Sequence, residues 1–95
     1  MTTEEKDRIA SARALERDRH VCRIAIPEIC GGRAGGVHHI YPRGVMSLRW
    51  LQLNLLSTCQ ACHEWAHGNP TEMLELVRDV LLSAEEWEEL QRRRG

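Results

Sequence analysis

The chain has 95 residues, with 13 Lys/Arg against 14 Asp/Glu and a net charge of −1. That length allows one domain, and the charge total points to no polyanion partner. No segment is apolar for long enough to span a membrane, and the charged opening MTTEEKDRIASARALERDRH lacks the apolar run of a signal peptide. The expectation is a cytoplasmic protein with reduced thiols. Three Trp, one Tyr and no Phe make a thin core, so a metal or disulfide staple is expected at this size.

Residues 4–19 are rich in helix formers and free of Gly and Pro, which predicts a helix with Ile9, Ala12 and Leu15 as a narrow apolar stripe. Residues 31–36, GGRAGG, read as a loop. Val37 to Tyr41 reads as a short strand ended by Pro42. Gly44 to Leu53 reads as a turn or loop reaching Asn54, and Leu55–Leu56 as a short buried segment. A helix from about Gln60 to Gly68 carries Cys62, His63 and His67. Asn69-Pro70 and the capping box Ser83-x-x-Glu86 start two more helices, over 70–81 and 84–93. These would turn Met73, Leu74, Val77, Leu81, Trp87 and Leu90 inward. The Arg92–Arg94 run suits a helix C-terminus. The acidic excess lies in this tail, which leaves a mildly basic centre compatible with phosphate contacts. The domain reading is one unit, 1–95, with an N-terminal helix (1–19), a core (20–68) and C-terminal helices (69–95).

The four cysteines form two groups, Cys22-x7-Cys30 and Cys59-x2-Cys62. Tetrahedral zinc takes four ligands and favours thiolates, so one structural Zn2+ on all four is the leading reading. Alternatives are two disulfides in a secreted domain, or a clamp in which His20 or His63 replaces one cysteine.

His38 and His39 are adjacent on a predicted strand and point to opposite faces. His63 and His67, four apart on a predicted helix, share a face, a spacing that suits two imidazoles on one metal. Neutral imidazole beside a divalent cation fits phosphodiester hydrolysis.

Together these segments, with Val37-His38-His39-Ile40, Pro42-Arg43, Asn54-Leu55-Leu56 and Cys59-x2-Cys62-His63-x3-His67, resemble an HNH endonuclease with a four-cysteine zinc frame. The likeness covers about residues 20–68. It implies a small zinc-stabilised α+β fold, with a ββα-metal core gripping one catalytic cation. It assigns His39 as general base, His38 and His63 as metal ligands with His67 as a third, and His39, Asn54 and His63 as the naming residues. Asn54 would orient the base, and Arg43 would contact phosphate. The implied partner is DNA, nicked or cut with low sequence specificity, because nothing resembles a recognition helix. The catalytic cation would be Mg2+, Mn2+, Ni2+ or Zn2+, although imidazole suits Zn or Ni better than Mg. Small relatives are often carried by phages, so packaging proteins such as terminase are partners by analogy, in the host-cell cytoplasm. The competing reading is a catalytically silent zinc module that binds DNA or protein on the same scaffold.

Overall fold

Thr2 starts the first helix. Its hydroxyl accepts from the Glu5 amide and the Glu5 carboxylate answers to the Thr2 amide, a reciprocal cap that satisfies two orphan donors. In the computed structural model, which describes residues 1–95, helix α1 spans Thr3–Arg17. It stops before residue 19 because Arg19 and His20 take left-handed backbone angles, φ 54° and 58°, which reverse the chain. The buried face is Ala10 and Ala14, rather than the expected stripe: Ile9 and Ala12 are exposed and Leu15 is half-buried. Small side chains let the helix come close to the sheet. There the Ser57 hydroxyl donates to the Ala14 carbonyl (3.1 Å) and the Gln52 amide to the Ala10 carbonyl (2.9 Å).

Strands β1 (Gly36–His39) and β2 (Leu55–Thr58) pair antiparallel, with His38 opposite Leu56 and His39 opposite Leu55. β1 ends two residues before the predicted Tyr41. Both backbone groups of Tyr41 are taken by the Asn54 side chain, so it has nothing left to give a ladder. All four β2 residues are buried. Leu55 packs on α1, while Leu56 packs into the main core, so a helix layer covers each face.

Helix α2 (Gln60–Gly68) follows β2 directly, after the single residue Cys59. Helix α3 (Pro70–Leu76) opens on Pro70, whose missing N–H costs nothing in a first turn. The same segment widens to a π turn over Val77–Leu81, closed by a 3.0 Å bond from the Leu82 amide to the Val77 carbonyl. Helix α4 (Ala84–Arg94) is capped by Ser83 and Glu86. Leu48, Leu56, Val77 and Leu90 are fully buried between these elements. Met73 is buried as expected and Trp87 and Leu81 are half-buried, but Leu74 is exposed (37 %).

The fold is thus α+β, four helices around a two-stranded sheet. Only 19 of 95 residues are buried. So little apolar area gives weak compensation for chain entropy, which makes a staple necessary. No helix is long and apolar enough to cross a membrane.

Candidate metal centres and the histidine cleft

Chain reversal after α1 delivers Cys22, whose amide donates to the Gly32 carbonyl (2.9 Å). Cys30 follows in the same loop. Cys59 caps α2, its sulfur accepting from the Cys62 amide at 3.4 Å. The four Sγ atoms lie within 4.8 Å of one another, and all four cysteines are free. Zinc–sulfur bonds of about 2.3 Å in a regular tetrahedron set sulfurs about 3.8 Å apart. Cys30 and Cys59 are 4.0 Å apart. A disulfide would require about 2.05 Å.

Backbone N–H groups face the sulfurs. Gly31 donates to Cys59 (3.4 Å) and Gly32 to Cys30 (3.3 Å). Gly32 has φ +86°, a conformation that favours glycine. Burial raises the Cys59 thiol, but the Gly31 and Cys62 amides outweigh it and bring it down to about 6. Cys62 is pushed up to about 12, by burial first and then by its three neighbouring thiols. Four thiolates cannot share this space without a cation, so the donor set suits a structural metal such as zinc. His20 lies outside the cluster, and His63 belongs to a different one.

The second cluster joins β1 to α2. His38 is 93 % buried on β1, while His63 and His67 stand one turn apart on α2. Nδ1 of His38 lies 3.3 Å from Nδ1 of His63, and Nε2 of His63 lies 3.2 Å from Nε2 of His67. One ring nitrogen from each falls within a 4.8 Å set. Nitrogens at about 2.05 Å from a tetrahedral zinc would be about 3.3 Å apart. His63 presents a different nitrogen to each neighbour, so a single ion would take one of them. Burial, then the charges of His63, His67 and His39, pushes His38 down to about 4. Burial and then His67 also lower His63. Both rings are therefore neutral near pH 7, with lone pairs available to a cation.

The cluster opens into a cleft of about 770 Å³ between β1, α2 and α3. His39 and Arg43 also line it, and none of the lining residues is Asp or Glu. The chain has 14 carboxylates, so their exclusion from this surface is a charge pattern that suits an anion.

His39 is half-buried and lines the same cleft as His38. Burial lowers its pKa, and the Arg43 charge lowers it further. The nearby Arg49 backbone and the Asp7 charge pull the other way. Arg49 is in turn fixed by Asp7 of α1, through bonds of 2.9 and 2.7 Å. Trp50 Nε1 donates to the same carboxylate at 2.8 Å.

Asn54 is fully buried and is not among the residues that line the cleft. Its Oδ1 accepts from the Tyr41 amide (2.9 Å), and its Nδ2 donates to the carbonyls of Tyr41 (3.0 Å) and Leu48 (3.2 Å). It pins both ends of the loop that carries Arg43.

The structure also brings up residues that sequence reasoning passed over. Asp7, Arg49 and Trp50 meet across more than forty positions, and no local pattern announces such a contact. No family model, curated protein or solved structure matches the chain.

Proposed function

We propose that this chain is a metal-dependent endonuclease of the HNH type, which hydrolyses DNA phosphodiester bonds with little sequence preference. The observation that carries the reading is the convergence of His38, His63 and His67 in a cleft free of carboxylates, with His39 and Arg43 beside them. On this reading β1, β2 and α2 are a ββα-metal core, and the four cysteines are its zinc staple.

His38, His63 and His67 would hold a divalent cation, which would supply Lewis-acid stabilisation of the charge that develops on the phosphate. His39 is the general base. Its ring, held neutral by burial and the Arg43 charge, takes a proton from water. The water oxygen bonds to phosphorus, the bond to the leaving oxygen breaks, and that oxygen takes a proton from solvent. Arg43 binds a phosphate oxygen, and Asn54 holds the Arg43 loop against β2. The three-imidazole set favours Zn2+ or Ni2+ over Mg2+ and Mn2+, which prefer oxygen ligands.

Incubating supercoiled plasmid with zinc-loaded protein and each of Mg2+, Mn2+, Ni2+ and Zn2+ tests the reading. Conversion to nicked or linear DNA with at least one metal is expected. Intact plasmid with all four would leave a zinc module that binds without cutting.

A further inference from the structure

The arginines at the end of α4 are not equivalent. Arg92 and Arg93 both pair with Glu89, Arg93 at 2.9 Å, which offsets one of their two charges. Arg94 has no carboxylate partner. Its guanidinium lies 4.7 Å over the ring of Tyr41, within cation–π range.

Tyr41 lines the histidine cleft, two residues before Arg43. It is held at three points. The Asn54 amide takes its backbone N–H and carbonyl, and its hydroxyl donates to Gln91 of α4 at 3.1 Å. The ring therefore ties the end of α4, and Arg94 with it, to a residue of the cleft lining. A guanidinium held over a ring and without a carboxylate partner keeps N–H donors free for a phosphate.

We infer that Arg94 is a DNA phosphate contact, and that Tyr41 is the platform presenting it next to Arg43. This rests on the endonuclease reading and extends it. The DNA surface includes the C-terminus of α4, and the strand runs past the cleft between two arginines that engage phosphates neighbouring the scissile one. Arg92 and Arg93, paired with Glu89, contribute little.

The test is salt-dependent binding of a short mixed-sequence duplex, using zinc-loaded protein carrying His39→Ala so that the probe survives. The logarithm of affinity falls with that of salt by about 0.9 per phosphate neutralised. Adding Arg94→Gln should reduce that slope by about one and weaken binding roughly fivefold to tenfold at 0.1 M salt. Arg94→Lys should keep the slope, because the charge remains. Arg92→Gln should leave both slope and affinity close to the reference. Arg94 is exposed, so melting should be unchanged in each variant. Tyr41→Leu should keep the slope, because the charge remains, but weaken binding by releasing Arg94 from its platform. An unchanged slope in Arg94→Gln, or an equal loss in Arg92→Gln, would overturn the inference and leave the nuclease reading standing. A reference protein that fails to bind the duplex at all would overturn both.

Discussion

Asn54→Ala separates two roles for this residue, ligand and loop clamp. The side chain is fully buried and makes three hydrogen bonds, to the Tyr41 amide, the Tyr41 carbonyl and the Leu48 carbonyl. Each such bond contributes about 0.5–1.5 kcal/mol net, and stranded partners that water cannot reach cost more. Three together give a loss of about 2–4 kcal/mol. In a domain of this size that lowers the melting temperature by roughly 10–30 °C. Asn54→Asp should fall as far. Its one oxygen still accepts from the Tyr41 amide, but the other now faces two carbonyls with no proton between them. The assay is thermal unfolding of zinc-loaded protein, followed by circular dichroism and paired with calorimetric titration of a second divalent cation in the cold. Large destabilisation with that cation still bound is expected, because the histidines sit on β1 and α2. Unchanged melting with loss of the second cation would refute the clamp and make Asn54 a ligand.

Cys59→Ala removes a thiolate and the cap of α2 together. It should yield a largely unfolded chain with little zinc by elemental analysis, and a normal melt would contradict the staple. His38→Ala should lose calorimetric affinity for the second cation while zinc content stays at one per chain, since the two clusters share no residue. Loss of both metals together would argue against separate sites. Cleavage should rise with pH as His39 loses its proton. Burial and the Arg43 charge lower its pKa, so the half-point should fall below the ordinary imidazole value of about 6.5. Arg43→Gln removes one of those causes and should move the half-point upward. A parent half-point above the ordinary value would contradict the assignment.

Much of this fold is readable in short-range chemistry. The Cys59-x2-Cys62 spacing, the Ser83 capping box and Pro70 after Asn69 mark the starts of three helices within a residue or so. Gly68 closes α2, as its sequence signal suggests. Long-range contacts decide the rest. The inward face of α1 is set by how closely the sheet approaches, so Ala10 and Ala14 go in while the larger Ile9 stays out. The end of β1 is set by a side chain thirteen positions away, Asn54, which takes the bonds a ladder would need. The π turn at Val77 depends on packing against the core and has no composition signature. Both clusters are legible as spaced Cys and His residues, because groups that could hold a metal need chemistry and spacing that few other roles demand. The supports of His39 were not. Asp7 looks like one more acid in a charged helix until the fold sets it against Arg49 and Trp50.

The central claim is that His39 does chemistry in a cleft built by the other histidines. The direct measurement is nicking of supercoiled plasmid by zinc-loaded parent and His39→Ala, side by side with the same second metal. A general base of this kind contributes about 10²–10⁴-fold in rate, so the variant should leave the plasmid supercoiled while matching the parent in melting and zinc content. Equal rates for the two proteins would contradict the account.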